Sequence, residues 1–368
     1  MKDIYNFIND SDFSFLWIIF ALLGSTYISL VLMPCVIKIA NKKNLMAQPC
    51  NRSSHIKPIP TLGGVAIFIS VTVVTLFYCA LTNNVQLMAL LLSLIILFFL
   101  GLNDDLMTIT PKTKFIGQLL VSSIIIIVSD VRITTLNGLF GIGEMNYFAS
   151  FIITLFSFIL IINSYNLIDG IDGLAGTIGV TVSGFFALFF YLNNILYLAI
   201  LSFSLLGSLV GFLKFNLSVK DKIFMGDTGS MIVGFLLSFL SIKFLNSNYG
   251  QNMAFTFKNP EIIVVALLFY PMLDTMRIFM VRKFIYKTSP FIADKNHIHH
   301  KILQLLPSHI DVTKFIFGTN LLVLVVAMAT SSKEIHTCLF MTGFVGIGAI
   351  IFPFLKHRLY HLVTRSTI

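Results

Sequence analysis

Runs of hydrophobic residues follow one another along nearly the whole chain, and short polar segments separate them. One run, LLLSLIILFFLGL at residues 90–102, carries no charge and is followed at once by Asn103, Asp104 and Asp105. Roughly 20 apolar residues in a helix cross the ~30 Å hydrocarbon core of a bilayer. The pattern therefore predicts an all-α polytopic membrane protein with about 11 transmembrane helices, at residues 14–40, 61–82, 86–102, 115–129, 148–165, 173–192, 195–213, 228–246, 261–281, 315–331 and 336–355.

The composition agrees with this pattern. Hydrophobic residues make up 57% of the 368 residues, charged residues make up 11%, and the mean hydropathy is +0.91. A soluble domain of this length needs more charge on its surface. The sequence has no internal repeat and no low-complexity linker, which predicts one integral membrane domain over residues 1–368. The four cysteines show no CxxC spacing, which argues against a disulfide scaffold or a zinc site.

The formal net charge of +9 comes from basic residues that gather in alternate loops. Of the 25 Lys and Arg residues, 18 lie in one set of loops and four on the opposite side. Cytoplasmic loops carry such an excess, which predicts an outside N-terminus and a cytoplasmic C-terminus. No basic groove interleaved with aromatic residues is present, so no nucleic-acid partner is expected. On the outer side, the turn-rich residues 131–148 predict a small hairpin.

Five carboxylates lie within a few residues of predicted span ends, and all are on the predicted cytoplasmic side. Each of them alone would be interpreted as a solvated helix cap. Carboxylates at membrane depth are unfavourable unless they face water, a metal ion or a partner. Their occurrence on one face of the membrane favours a functional site that contains Asp104, Asp105, Asp169, Asp172 and Asp227.

Two of these acids belong to the segment NSYNLIDGIDGLAGT at residues 163–177. Its polar residues recur at every third position, as Asn163, Asn166, Asp169 and Asp172. The glycines of the segment interrupt the helix and allow the backbone to approach a ligand. A plain turn between helices needs one glycine and one asparagine rather than this number of polar groups. The segment is therefore predicted to contact a ligand.

The segment FMGDTGSMIVGF at residues 224–235 places Asp227 in a glycine-rich turn that opens the next span. Backbone N–H groups at a helix N-terminus bind anions. A carboxylate beside them makes sense where a divalent cation bridges it to a phosphate. The alternative interpretation is an N-cap aspartate in an ordinary turn.

The segment RKFIYKTSPFIADKNHIHHKIL at residues 282–303 combines five cations with His297, His299 and His300. No cysteine accompanies the histidines, and the acids elsewhere on this face suit hard metals bound by oxygen. Histidines beside cations serve as hydrogen-bond donors to phosphate oxygens. A basic amphipathic loop on the membrane surface is the alternative interpretation.

One type of reaction uses all of these segments together. Oxygen ligands hold a divalent cation, amides and basic side chains bind a diphosphate, and a carboxylate activates or orients the incoming oxygen. Positioning and charge neutralisation of this kind perform most of the catalysis in phosphoryl transfer. A site at the edge of the membrane predicts one water-soluble substrate and one substrate embedded in lipid.

The four motifs, in this order between about Asn51 and His300, resemble those of the polyprenyl-phosphate N-acetylhexosamine-1-phosphate transferases. These include bacterial enzymes that begin the lipid-linked synthesis of peptidoglycan, teichoic acid, O-antigen and enterobacterial common antigen. HIKPIPTLGG at residues 55–64 is similar to the first cytoplasmic loop of the family. The His-Ile-His-His sequence resembles the branch that starts O-antigen and teichoic-acid linkage units more than the peptidoglycan branch.

The resemblance implies transfer of an N-acetylhexosamine 1-phosphate, first of all GlcNAc-1-phosphate, from a UDP-sugar to undecaprenyl phosphate, with release of UMP. It implies Mg²⁺ as the cofactor, or Mn²⁺ in its place. The partners are then the UDP-N-acetylhexosamine, undecaprenyl phosphate and membrane lipid. The implied location is the bacterial inner membrane with a cytoplasmic active site, and the functional unit is a single chain or a homodimer.

The resemblance also assigns roles by position. Asp227 and Asn166 match the metal ligands, and Asp104 matches the acid that assists the lipid phosphate as nucleophile. The other matched catalytic positions are Asp105, Asp169 and Asp172. The residues expected to bind the diphosphate are Lys57, Arg282, His297, His299 and His300. The chain departs from the family pattern at Lys283, where a second arginine is expected, so a point charge replaces a bidentate guanidinium.

Two other functions remain open on the residues alone. A secondary transporter would also place acids in the membrane, although transporters keep them near the midplane in helices related by repeats. A membrane glycosyltransferase that moves only the sugar would break a different bond and release UDP.

Overall fold

The computed structural model describes residues 11–47, 59–250, 253–287 and 296–366, and these are almost entirely helical. The fold class predicted from the sequence is thus confirmed. A two-residue antiparallel ladder joins β1 (Met46–Ala47) to β2 (Ile59–Pro60). The helices are α1 (Ser11–Lys43), α2 (Gly63–Thr82), α3 (Val85–Met107), α4 (Pro111–Ser129), α5 (Tyr147–Leu167), α6 (Leu174–Leu192), α7 (Leu196–Asn216), α8 (Gly226–Asn248), α9 (Pro260–Leu267), α10 (Phe269–Met280), α11 (Ile298–Leu303), α12 (His309–Thr330) and α13 (Ile335–Ser366).

In the described part of the chain, ten helices are long and apolar enough to cross a membrane, and α9 with α10 forms an eleventh, bent span. The predicted number of spans is confirmed. The ninth differs from the prediction, because a break at Leu268 bends it by 76° between Pro260–Leu267 and Phe269–Tyr286. Pro271 explains the break, since its missing N–H cannot bond to the Leu267 carbonyl and is tolerated only in the first turn of a new helix.

Helix α4 begins four residues before the predicted span. Thr110 caps it, accepting a hydrogen bond from the Thr113 N–H at 3.3 Å, and Pro111 occupies the first helical turn. Both are favourable signals for a helix start. The extension moves Lys114 from the predicted loop onto the first turn of a membrane helix, where its side chain is held in one direction.

Helix α8 forms the centre of the molecule and packs against α2, α3, α5 and α6. It is buried along almost its whole length, as expected of a helix that is apolar on every side. Small residues allow its neighbours to come close. A Cβ atom on Gly64 of α2 would overlap the backbone of Gly229, and one on Gly101 of α3 would lie 2.5 Å from Thr228 Cα. The N-terminal turn of α8 is therefore fixed between two helices.

The loop that precedes α2 is also bonded to the turn that precedes α8. Phe224 N–H donates to the Pro60 carbonyl at 2.8 Å, while Gly63 and Gly64 donate to the carbonyls of Phe224 and Met225 at 3.0 and 2.8 Å. Residues 60–64, the part of HIKPIPTLGG that makes these bonds, thus form one backbone unit with the FMGDTGS motif.

At the opposite end of the molecule, the hairpin expected at residues 131–148 is reduced to a single bridge between Thr135 and Glu144 around the 3₁₀ turn Leu139–Gly141. The side chains of α5 take the place of further strand pairing. Thr154 accepts from the Ile133 N–H at 2.8 Å, and Ser150 donates to the Ile133 carbonyl at 2.5 Å.

Candidate active site

Asp105, at the end of α3, caps the N-terminus of α8. Its carboxylate accepts from the N–H groups of Asp227 at 2.8 Å and Thr228 at 3.0 Å, and from the Thr228 hydroxyl at 2.5 Å. Gly226 makes this possible, because its φ is +74° and a Cβ atom there would overlap the Thr61 carbonyl oxygen. These contacts correct the expectation that the amides of Asp227 and Thr228 bind phosphate, since Asp105 already accepts both.

Lys114 joins two carboxylates from different helices. Its ammonium group forms an ion pair with Asp104 of α3 and lies 3.0 Å from Asp227 Oδ1 at the start of α8. Asp104 is buried and also accepts from the Ile109 N–H at 2.9 Å, which closes the turn between α3 and α4. The structure thus brings the predicted nucleophile-assisting acid and the predicted metal ligand to one cation.

Asn166 lies on the other side of Asp227, as the predicted pair of metal ligands requires. Its amide nitrogen donates to Asp227 Oδ1 at 2.6 Å and to the Ser230 hydroxyl at 2.7 Å. These two bonds use the nitrogen end of the amide and leave its oxygen as the atom that can bind a cation.

One helical turn deeper, a second polar layer repeats this geometry. Gln118 follows Lys114 on α4, Asn163 precedes Asn166 on α5, and Met231 follows Asp227 on α8. Asn163 donates to Gln118 Oε1 at 2.8 Å, and Gln118 Nε2 lies 3.7 Å from the Met231 sulfur. The amide pair joins α4 to α5 one turn below the point where Lys114 and Asn166 both contact Asp227 Oδ1.

Asp169 belongs to the same cluster. It lies in the turn between α5 and α6 and accepts a hydrogen bond from the Gly226 N–H. Burial, reinforced by the neighbouring charge of Asp227, holds the pKa of Asp169 well above its usual range. The α5–α6 turn is therefore bonded to the backbone at the start of α8, and Asp169 adds a further carboxylate beside Asp227.

The cluster fits a divalent cation on its chemistry. Four carboxylates gather around the first turn of α8, and among the described residues Lys114 is the one cation paired with any of them. Carboxylate and amide oxygens are the ligands that Mg²⁺ prefers. A bound Mg²⁺ would offset the negative charge that these carboxylates bring together. The carboxylate of Asp227 and the amide oxygen of Asn166 are the ligands that would hold it.

Asp172 lies apart from these carboxylates. It forms an ion pair with Lys222 at 2.5 Å and lies 3.2 Å from His309 Nδ1, and its carbonyl accepts from the Thr313 hydroxyl at 2.7 Å. The next residue, Gly173, donates its N–H to Asn216 at 2.6 Å. These contacts tie the α5–α6 turn to α7 and α12. The sequence predicts a catalytic role for Asp172. In the structure its carboxylate contacts both Lys222 and His309.

The predicted histidine cluster is organised by a buried carboxylate of α10. Asp274 is 1% exposed and accepts from the Ile298 N–H at 2.8 Å. His297 Nδ1 lies 2.9 Å and His299 Nδ1 3.5 Å from Asp274 Oδ2. Burial lowers the pKa of His299, and the charge of Asp274 opposes that shift.

The histidines reach the α5–α6 turn through Gly170. A Cβ atom at this position would lie 3.6 Å from His299 Nε2 and 3.9 Å from His300 Cε1. Asp169 is the adjacent residue, so this turn lies between the carboxylate cluster and the histidine cluster. Asp105 and Asn166 contact the start of α8, and Gly170 lies beside the histidines, so the structure joins all four predicted motifs. The loop before α2 is bonded to the turn before α8 and adds a fifth segment.

The basic residues at the end of α10 divide into two orientations. Arg282 is buried within the π-helical turn Val281–Tyr286, whereas Lys283 is exposed and its ammonium lies 5.6 Å from the centre of the Phe284 ring. The residue that departs from the family pattern therefore faces outward. Lys57 lies outside the residues that the structure describes.

Three residues that contact the predicted site were missed as site residues on the sequence. Lys114 lies in a predicted loop, and Asp274 and Gln118 lie within predicted spans. A signal is present for Asp274 and Gln118, because a charged or amide side chain inside an apolar run is unfavourable without a partner. The sequence did not show which partners they have.

The chain is similar to known proteins over most of its length. A family model described as Glycosyl transferase family 4 matches residues 87–245. The chain is 32% identical over 337 residues to the decaprenyl-phosphate N-acetylglucosaminephosphotransferase of Mycobacterium leprae, covering 85% of this chain and 82% of that protein. It is 29% identical to the undecaprenyl-phosphate alpha-N-acetylglucosaminyl 1-phosphate transferase of Yersinia pestis, and the match covers 73% of this chain and 72% of that protein.

The matched region contains Asp104, Asp105, Asn166, Asp169 and Asp227, which form the carboxylate cluster around the start of α8. The similarity to the mycobacterial protein extends over most of both chains and is not confined to that region. The chain therefore belongs to glycosyl transferase family 4, the polyprenyl-phosphate N-acetylhexosamine-1-phosphate transferases that its motifs resemble.

Proposed function

We propose that this protein transfers GlcNAc-1-phosphate from UDP-GlcNAc to undecaprenyl phosphate and releases UMP. The observation that carries the proposal is the position of Lys114, which contacts both Asp104 at the end of α3 and Asp227 at the start of α8. Relatives named for transfer of N-acetylglucosamine phosphate to a polyprenyl phosphate support it.

The reaction exchanges one phosphoanhydride for another. An oxygen of the lipid phosphate attacks the β-phosphorus of the UDP-sugar, and the bond from that phosphorus to the oxygen bridging the two phosphates breaks. UMP leaves with the bridging oxygen, and the sugar phosphate becomes the outer half of a lipid diphosphate. Such a step requires alignment of two anions and neutralisation of the charge between them.

The residues of the chain divide this work. Lys114 supplies a positive charge beside Asp104, where the incoming lipid phosphate is expected, and Asp104 orients that phosphate. Asp227 and Asn166 would hold Mg²⁺, which neutralises the diphosphate when bound. Asp105 fixes the turn that carries Asp227 through the two N–H bonds that it accepts. Asp169 and Asp172 position the α5–α6 turn, which lies between the carboxylates and the histidine segment. The residues that bind the donor are Lys57, Arg282, His297, His299 and His300.

The location of the site supports a lipid substrate. Asp104 and Asp105 end a helix that otherwise exposes large hydrophobic side chains, including Leu92 and Phe99, to the surroundings. We further propose that the whole chain acts as one membrane domain, with its site on the cytoplasmic face of the inner membrane. The charge asymmetry of the loops supports this orientation. The functional unit is a single chain or a homodimer.

Purified enzyme supplied with undecaprenyl phosphate, Mg²⁺ and UDP-GlcNAc labelled at the β-phosphate tests the reaction. We expect the label in the lipid fraction, unlabelled UMP in solution, and return of the label to UDP-GlcNAc when UMP is added. Parallel reactions with UDP-GalNAc compare the donor sugars. Label that stays in solution as UDP while the sugar enters the lipid would replace the proposal with transfer of the sugar alone.

A further inference from the structure

Asp274 is a carboxylate buried inside the bent span, where an acid without partners is strongly unfavourable. All of its described partners belong to the α10–α11 region. Its Oδ1 accepts from the Ile298 N–H and lies 3.5 Å from the Arg277 guanidinium, and its Oδ2 contacts two imidazole rings. The reaction proposed above gives Asp274 no contact with substrate, so its burial needs a separate explanation.

The contacts of Asp274 fix how two histidine rings are turned. His297 Nδ1 lies 2.9 Å from its Oδ2, a hydrogen-bonding distance. A carboxylate accepts hydrogen bonds and so places the proton of the ring on Nδ1. The ring then presents Nε2 on its far side. His299 follows the same arrangement, with Nδ1 towards Asp274 and Nε2 towards Gly170 of the α5–α6 turn.

Neighbouring residues restrain the same two rings. The planes of His297 and His299 are stacked at 13° with their centroids 5.4 Å apart. The hydroxyl of Tyr270, one turn before Asp274 on α10, lies 3.2 Å from His299 Nδ1. Arg277, which faces Asp274, also donates to the carbonyl of Asn296 directly before the histidines. Together these contacts hold the start of α11 against α10.

We propose that Asp274 is the positioning residue for donor binding: it holds His297 and His299 with Nδ1–H inward, which leaves Nε2 of each ring as a hydrogen-bond acceptor for a hydroxyl group of the nucleotide sugar. This inference rests on the proposed function for the identity of the ligand. Side chains that are already held in the binding orientation lose little conformational entropy when the substrate binds, and this strengthens binding. The bend of the span at Leu268 places this carboxylate directly beneath the histidine segment.

The test compares steady-state kinetics of the wild type with Asp274→Asn. The asparagine keeps the volume and can still accept from the Ile298 N–H, but it lacks the charge and can turn its NH₂ group towards the rings. We expect the KM for UDP-GlcNAc to rise by about 10- to 100-fold, the range found when a group that orients a histidine ligand is removed. The KM for undecaprenyl phosphate is expected to stay unchanged, because Asp104 and Lys114 are intact.

A buried carboxyl of the same span provides the matched control. Glu261, in the first turn of α9, is buried and hydrogen-bonded to the Tyr249 hydroxyl, far from the histidines along the bent span. Glu261→Gln should leave both KM values as in the wild type. If Asp274→Asn fails to fold in detergent, Tyr270→Phe serves as the second variant. Removal of the hydroxyl near His299 should raise only the donor KM, by about 2- to 10-fold.

A double-mutant cycle tests whether Asp274 acts through His297. Changes at two residues that form one contact are not additive. The double variant Asp274→Asn/His297→Gln should therefore raise the KM for UDP-GlcNAc by less than the product of the two single increases, because only the part that acts through His299 remains independent. Fully additive losses, or an unchanged donor KM in Asp274→Asn and in Tyr270→Phe, would overturn the inference.

Metal analysis separates this role from a metal site. The oxygen and nitrogen atoms of Asp274, His297 and His299 lie within 4.8 Å of one another. Purified wild type washed with chelator should contain no stoichiometric transition metal. Retention of one zinc ion per chain that Asp274→Asn lacks would reassign the cluster to metal binding. Absence of wild-type turnover with UDP-GlcNAc, by contrast, would defeat the proposed function itself.

Discussion

The ammonium nitrogen of Lys114 lies 3.0 Å from Asp227 Oδ1 and forms an ion pair with Asp104. These three residues begin or end three different helices, so the pairing fixes the relative position of α3, α4 and α8 at one point. A charge with two opposite charges beside it in a partly buried place is held more firmly than an exposed pair. A substrate phosphate that enters here meets a cation already in position.

Loss of this cation should impair turnover severely. In Lys114→Met the length of the side chain is nearly kept, while Asp104 and Asp227 face each other without compensation. We expect kcat/KM to fall by about 100-fold or more, the range for loss of a group that stabilises charge in the transition state. Lys112→Met is the control, because Lys112 is exposed on the same helix turn. Equal activity of both variants would contradict a role for Lys114.

The proposed metal ligand is tested by Asp227→Asn. We expect turnover to fall by about 100-fold or more at every Mg²⁺ concentration, since the amide keeps the shape but loses the charge that holds the cation. Thermal unfolding in detergent should change little, because Lys114 keeps its ion pair with Asp104 and the amide oxygen of the introduced asparagine can still accept from Asn166. Asp221→Asn, in the exposed loop before α8, should behave as the wild type. Wild-type turnover by Asp227→Asn would remove this residue from the site.

The amide pair beneath the site should contribute to stability. Gln118→Leu removes the 2.8 Å partner of the half-buried Asn163 amide, which keeps only its bond to the Ile159 carbonyl. Interhelical hydrogen bonds in membranes stabilise by about 0.5–2 kcal/mol, so a lower melting temperature is expected. In the double variant Gln118→Leu/Asn163→Leu both partners become apolar, and part of the loss should be recovered. If the decrease in melting temperature of the double variant equals the sum of the decreases of the two single variants, the two residues do not act as a unit.

The turn before α8 should accept no side chain at Gly226. Alanine there must adopt a φ near +74° and overlap the Thr61 carbonyl oxygen. We expect Gly226→Ala to destabilise the protein by about 2–5 kcal/mol and to lower the yield of folded enzyme. Gly143→Ala, where a Cβ atom meets nothing within 4 Å, is the control. Thermal unfolding of the two purified variants in the same detergent gives the comparison.

The orientation of the chain can be tested with single cysteines. Asp221→Cys and Gly143→Cys both lie in exposed loops, at opposite ends of the helices. If the basic loops are cytoplasmic, an impermeant maleimide should label Gly143→Cys in intact cells and Asp221→Cys only in inverted vesicles. The reverse pattern would place the carboxylate cluster outside the cell and exclude a cytoplasmic nucleotide donor.

The apolar runs by themselves determined the class of fold and the number of spans. This succeeded because a helix in lipid must be long and apolar whatever its neighbours are. They did not determine the break at Leu268, although Pro271 was visible, because a proline within an apolar run is accepted both in continuous spans and in broken ones. The choice depends on whether neighbouring groups satisfy the freed backbone.

The motifs likewise identified most of the polar residues that the structure gathers at one end of the helices. Asp104, Asn166, Asp169 and Asp227 stand out because carboxylates and amides at the edge of a membrane require partners. The sequence did not distinguish their tasks. Asp104 and Asp105 are adjacent in the chain, yet one pairs with Lys114 and the other caps α8, because successive side chains on a helix point in directions about 100° apart.

Tertiary structure alone decided which residues hold the site in place. Lys114, Gln118 and Asp274 look like isolated polar residues in the sequence, since each finds its partners on other helices or beyond a loop. The local sequence determines where helices form, through backbone hydrogen bonds and hydrophobicity. The contacts between these side chains depend instead on how closely the helices pack. Gly64 and Gly101 permit α2 and α3 to pack closely against α8. This close packing of the backbones brings the charged side chains of the site within contact distance.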